Sequence, residues 1–147
     1  MSKYFVLYGV SAEIETDEGV FAEIGDGIEN LDEALNEVVY SGYFLKDKGF
    51  GNSEVTAMQP VFTFSGKRMV GDAAQDYIFD TDRKYGLGEA RKTNFRLNMD
   101  NNGNTVTMTV PVTIASIQEI GGAVQEGSGI SFELRFNGKP EIVKATA

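Results

Sequence analysis

Thr93-Asn94-Phe95-Arg96-Leu97-Asn98-Met99, then Asp100-Asn101-Asn102-Gly103-Asn104, then Thr105-Val106-Thr107-Met108-Thr109-Val110-Pro111-Val112-Thr113-Ile114: this stretch decides the fold class of the chain. Successive side chains on a β-strand point to opposite faces, so a period of two marks a strand that buries one side. In the first run Thr93, Phe95, Leu97 and Met99 share one face and Asn94, Arg96 and Asn98 the other. In the second, Val106, Met108, Val110, Val112 and Ile114 lie opposite Thr105, Thr107, Thr109 and Thr113. The Asp/Asn/Gly cluster between them tolerates left-handed backbone, so the two runs read as a long β-hairpin. Pro111 has no N–H for a ladder, which predicts an edge or a bulge there.

Outward from the hairpin, the pattern predicts further strands over residues 4–10, 12–16, 20–24, 57–65, 130–137 and 140–145. The clearest places Phe132, Leu134 and Phe136 against Ser131, Glu133, Arg135 and Asn137. One segment changes period: Ala73, Ala74, Tyr77, Ile78 and Thr81 recur at helical spacings and leave Gln75, Asp76, Asp80 and Asp82 outward. Asp72 is its expected cap, with Gln75 in capping-box position, and Gly86-Leu87-Gly88 reads as a helix stop. A second helical turn is predicted over Leu31–Val39, where Leu31, Leu35, Val38 and Val39 share a face. Tyr40–Val55 carries Tyr43, Phe44, Leu45 and Phe50 among glycines and charges. It reads as a loop, either tucked onto its own core or offered to a partner. Ser116–Gly129, with Gly121, Gly122, Gly127 and Gly129, reads as a connection that is mobile or orders on contact.

At 147 residues and 41% hydrophobic, the chain is apolar enough to fold and suits a single domain, residues 1–147, of mainly β (α+β) class. No stretch approaches the roughly 20 apolar residues that a membrane-spanning helix needs. The start, Met1 to Tyr8, is too short and aromatic for a secretory signal, so a soluble protein made in the cytoplasm, with no membrane partner, is expected. Cysteine and histidine are both absent, which removes disulfides, thiolate nucleophiles, the commonest zinc ligands and the side chain that titrates near neutrality. The net charge of −9 is unevenly placed, with ten acids and the single base Lys3 in residues 1–37 and twelve of each sign thereafter. That first quarter repels phosphate and disfavours a DNA-gripping surface there.

Local motifs for chemistry fail one by one. Ser65-Gly66-Lys67-Arg68 has Val61 where a phosphate loop needs glycine and Arg68 where it needs a hydroxyl. Asp100–Asn104 begins like a calcium loop, but Pro111 stands where a bidentate glutamate belongs. Gly86-Leu87-Gly88 follows a helix, not the strand a dinucleotide site requires. The reading is therefore of a non-enzyme with no catalytic residue, metal or cofactor.

The run from Met58 to Ile78, Met-Gln-Pro-Val-Phe-Thr-Phe-Ser-Gly-Lys-Arg-Met-Val-Gly-Asp-Ala-Ala-Gln-Asp-Tyr-Ile, resembles the central segment of major tail proteins, the tail tube proteins of long-tailed phages of Gram-positive bacteria. Leu31-Asp32-Glu33-Ala34 is similar to that family's acidic turn before its long loop, and the resemblance extends over most of residues 10–145. It implies one tail tube domain, a β-sandwich or half-barrel with one flanking helix and a long hairpin, six copies of which form a ring. Rings would stack into a hollow conduit through which DNA passes without specific binding. It implies the chain itself as principal partner, with a tape-measure protein and tail completion or terminator proteins, in a virion tail made in the host cytoplasm.

On that reading Tyr43, Phe44, Leu45 and Phe50 are candidate subunit and inter-ring contacts. Asn94, Arg96, Asn98, Thr105, Thr107 and Thr109 are candidates for the lumen, with Arg96 the awkward cation among them. Relatives that carry an added immunoglobulin-like module are longer, so none is expected here. A tube of a phage-tail-like bacteriocin or secretion system would read alike, and a soluble barrel for a small apolar ligand is the alternative of a different class.

Overall fold

In the computed structural model, which describes residues 4–101 and 103–146, the elements run β1 (Val10–Asp17), β2 (Val20–Glu23), β3 (Ile28–Ala34), β4 (Glu37–Tyr43), β5 (Gly51–Met58), β6 (Val61–Lys67), α1 (Ala73–Ile78), α2 (Thr81–Lys84), β7 (Lys92–Asn101), β8 (Asn104–Gln118), β9 (Gly129–Phe136) and β10 (Glu141–Thr146). Seven strands form a path β2-β1-β7-β8-β9-β6-β3, β10 adds to β8, and β4 pairs with β5 apart from that sheet.

The alternating runs make the hairpin β7–β8, in register from Lys92 opposite Thr113 to Asn101 opposite Asn104. Gly103 turns it with a φ of +91°, and its N–H donates to Asp100 Oδ1 at 3.1 Å; the neighbouring Asn102 lies outside the described residues. The ladder passes Pro111 opposite Asn94 without a bulge. On the other side of β8, β10 covers 104–109 and β9 covers 112–118. The two lie end to end, and Pro111 occupies the gap, its carbonyl accepting from Asn137 N–H at 2.8 Å. A residue's N–H and C=O point to the same side of a strand, so the missing donor faces the break between β9 and β10. This is a local edge.

The sheet curls until β6 faces β7, although β8 and β9 lie between them in the strand order. Phe62 and Phe64 reach Phe95 at ring separations of 5.5 and 6.2 Å, and Phe64 stacks on Phe132 at 5.0 Å. Ile14, Leu97, Val110, Val112, Ile114 and Leu134 complete this interior, all on the apolar faces of their strands. Helix α1 packs on β1 and β2 and delivers Ala74 and Ile78, with Phe79 just beyond it, into the same core. Each fully buried large apolar side chain contributes roughly 1.5–3 kcal/mol. The fold is mainly β, one large curled sheet with short helices against it.

Several expectations give way. Leu31–Val39 is not helical: it spans β3 and the start of β4, broken at Asn36, which adopts a φ of +50°. Residues 40–55 are not a loop, since most of them belong to the β4–β5 hairpin. The strand predicted over 57–65 is two, separated at Gln59-Pro60 where the chain changes sheet. Residues 4–6 join no ladder and Leu7–Gly9 form a 3₁₀ turn, so pairing begins at Val10. Helix α1 stops at Ile78, and α2 starts afresh with Asp80 accepting from Asp82 N–H.

Gln75, expected outward, is fully buried. Its side chain bonds to the main chain of neighbouring loops and not back to the cap, so only half a capping box forms: Asp72 accepts from Gln75 N–H at 3.1 Å. The glycine-rich segment after Gln118 is tied by its own bonds, with Ser128 Oγ donating to Glu119 O at 2.6 Å and accepting from Gly121 N–H at 3.0 Å.

Candidate assembly surface

The aromatic candidates sit on an arm. Strands β4 and β5 pair from Glu37 opposite Met58 to Tyr43 opposite Gly51, with a one-residue irregularity at Val38/Val39. A 3₁₀ turn over Leu45–Asp47 and left-handed Lys48 and Gly49 reverse the chain. At the root, Asn36 Nδ2 donates to Gln59 O at 3.1 Å, joining the two points where the arm leaves the body. Beyond that root the two strands pack chiefly on each other. Tyr43 is 77% exposed, Leu45 97% and Phe50 79%, with Phe44, Val38, Val39, Tyr40 and Val55 also exposed. A lone two-stranded hairpin is at best marginally stable in water, and here its apolar side chains stay largely in solvent.

The polar candidates share the face of β7 and β8 turned away from the phenylalanine core. Register sets Arg96 between Glu13 and Thr109, and Asn98 between Ser11 and Thr107. Glu13 accepts from Arg96 Nε at 3.1 Å, Arg96 Nη2 at 2.8 Å and Asn98 Nδ2 at 2.7 Å. Thr107 Oγ1 donates to Asn98 Oδ1 at 3.0 Å, and Asn94 Nδ2 to Glu15 Oε1 at 3.0 Å. The Arg96 guanidinium also lies over the Phe21 ring, 4.1 Å from its centroid. Thr105 and Thr109 continue the same face towards β10, opposite Ala145 and Glu141. The charge-assisted bonds from Arg96 hold the Glu13 carboxyl below the ordinary carboxylate range. The cation that stood out in the sequence is thus neutralised within the sheet, by a partner 83 positions away.

Sequence reasoning missed a third cluster. Arg68, just past β6, bonds Glu119 Oε2 at 2.8 Å and Asp76 Oδ1 at 3.0 Å, donates to Met69 O at 2.9 Å and lies over Phe79. Lys84 of α2 meets the other oxygen of Glu119 at 2.6 Å. One carboxylate therefore ties the loop after β8 to the β6–α1 connection and to α2. Bonds from Arg68 first, then Lys84, lower the Glu119 pKa. The only local sign was a pair of acids, Glu119 and Glu126, among the glycines of 116–129. Among the described residues no group of three or more acidic, His or Cys side chains is placed to hold a metal ion, and no helix is long and apolar enough to cross a membrane.

No family model matches the chain and no curated protein matches it, but solved structures do. A chain in the tail of an empty gene transfer agent particle, refined helically with C6 symmetry, aligns at a TM-score of 0.69 and 15% identity, over 92% of this chain and 96% of that one. A chain of the virion of a native gene transfer agent particle gives 0.66 and 14%, over 92% and 96%. The SPP1 tail tube, a hybrid structure from solid-state NMR and electron cryo-microscopy, gives 0.68 and 13%, over 98% of this chain and 80% of that one. At such identities the likeness is one of fold, and this chain has the fold of the SPP1 tail tube and of these gene transfer agent chains.

Proposed function

We propose that this chain is the structural, non-catalytic subunit of a tail tube, that its residues 1–147 act as one tube domain, and that copies assemble into stacked, hexameric rings enclosing a conduit for DNA. The observation that carries the reading is the β4–β5 arm, whose large apolar residues stay half or more exposed among the described residues and call for a second copy. Shared fold with tail structures, one of them refined in C6 symmetry, supports the same reading. So does the resemblance of Met58–Ile78 to tail tube proteins of long-tailed phages of Gram-positive bacteria.

The polar face of β7 and β8 lines the lumen. Its one arginine is already bound to Glu13, so the wall offers passing phosphates few free cations, and a duplex slides without sticking. The partners are the chain itself, a tape-measure protein and a terminator at the tube's end, in a virion tail assembled from subunits made in the host cytoplasm. A hollow ligand-binding barrel is disfavoured by the core, where Phe62, Phe64, Phe95, Phe132 and Phe136 occupy the interior a ligand would need.

Concentrating the purified protein and imaging it by negative-stain microscopy, with size-exclusion chromatography alongside, tests the reading. Rings or tubes of uniform diameter are expected. A strict monomer at millimolar concentration would overturn it.

A further inference from the structure

The arm tip is basic as well as apolar. Phe44 and Leu45 are followed by Lys46 and Lys48, and neither lysine joins an ion pair among the described residues. Asp47, between them, accepts from Asn52 within the arm. Elsewhere on the same chain lies a surface of the opposite kind. A groove of about 390 Å³ runs between the start of β1 and β3, lined by Leu7, Tyr8, Ile28 and Leu31 and backed by Phe64.

Its margin is acidic. Glu29 lines it directly, Asp26 follows the lining residue Gly25, and the Glu23 carboxylate sits beside Gly25. None of these three acids joins an ion pair among the described residues. Lys67, on the strand next to β3, turns its ammonium towards Gly127 O at 3.4 Å. The apolar tip thus carries unpaired positive charge, and the apolar groove carries unpaired negative charge.

We infer that the arm tip of one copy, Phe44 and Leu45 with Lys46 and Lys48, docks in the groove between β1 and β3 of the next copy, against Glu23, Asp26 and Glu29. This rests on the tube-subunit reading and specifies the contact that builds it. Apolar side chains leaving water supply the affinity, while charges of opposite sign set the register and steer the encounter. In a tube the contact runs head-to-tail, arm of one copy to groove of the next, the kind that closes into rings or propagates as a filament.

The chain has no cysteine, so single cysteines report the contact. Leu45→Cys protein is mixed with affinity-tagged Asn30→Cys protein, whose altered residue lines the groove, under assembling conditions with a short bis-maleimide. A covalent heterodimer is expected. Lys46→Glu with Lys48→Glu should slow assembly and cross-linking by roughly tenfold or more, and pairing it with Glu23→Lys and Glu29→Lys should restore both. Tubes that form with no Leu45–Asn30 adduct would overturn the docking while leaving the tube reading intact. Wild-type protein that gives no tubes, together with cysteine variants that give no adduct, would overturn both.

Discussion

The side-chain amide of Gln75 donates to the main-chain carbonyl of Asp26 at 2.8 Å, across 49 positions of sequence. The same amide donates to Lys67 O at 3.1 Å, and its carbonyl accepts from Met69 N–H at 2.8 Å. One side chain therefore satisfies three main-chain groups from the β2–β3 turn and the β6–α1 connection. Replacing it with leucine keeps the volume and strands all three. Gln75→Leu should lower unfolding free energy by about 3 kcal/mol, read from the midpoint of urea denaturation; a change below about 1 kcal/mol would mean water takes its place.

Gly66 pairs with Ile28, and a Cβ there would stand 2.0 Å from Gly27 O and 2.8 Å from Ile28 Cα. These are backbone atoms that cannot swing aside. Gly66→Ala should cost about 3 kcal/mol and loosen β3, visible as faster amide exchange in Ile28–Ala34.

The Glu119 carboxyl ordinarily titrates at 4.5 and is held lower in the folded chain by Arg68 and Lys84. A lowered folded value means that the ion pairs stabilise fully above the ordinary pKa and fade as pH falls through the folded one. The loss therefore falls below pH 4.5. Glu119→Gln should destabilise the chain at neutral pH and show a shallower acid decline than wild type, the remaining slope coming in part from Glu13, which is shifted the same way by Arg96. Urea titrations at neutral pH and near pH 3.5 decide it, and parallel curves for wild type and variant would remove Glu119 from the account.

Phe50, 79% exposed at the arm, touches little of its own chain. Phe50→Ser should leave monomer stability within about 0.5 kcal/mol of wild type and still abolish tubes. In the monomer, amides of β4 and β5 should exchange fast, since their ladder lacks a packed face, and assembly should slow them. An equally protected arm in the monomer would show that it is already covered.

Thr107 lies at the centre of the polar face, bonded to Asn98. Thr107→Lys adds a cation there without touching the core, and repeated around each ring it should slow genome ejection in a salt-dependent way. Ejection kinetics equal to wild type would place this face away from DNA.

The hairpin of 93–114 was legible because alternation is a local property: Phe95, Leu97, Val110, Val112 and Ile114 lie inward as their parity requires. Leu31–Val39 was misread for a definable reason. Residues four apart lie on one face of a helix and also of a strand, so Leu31 and Leu35 fit both. The choice was made by Phe64, which pairs with Leu31 from another part of the chain. The strands of the arm were hidden because Tyr43, Phe44, Leu45 and Phe50 stand among glycines and charges that read as a loop, and only the pairing of β4 with β5 makes them a hairpin.

By itself the sequence determined where most strands lie, which of their faces is greasy, where the acids gather, and that neither thiol nor imidazole chemistry is present, all of which follow from residue type and near-neighbour spacing. Tertiary structure alone decided that residues 37–58 project from the body, that Glu13 neutralises Arg96, that Glu119 ties a loop to two helices' surroundings and that Gln75 is an interior post. Those features depend on which distant segments meet. Many registers bury the same apolar stripe, and only the complete set of strand pairings selects the polar neighbours.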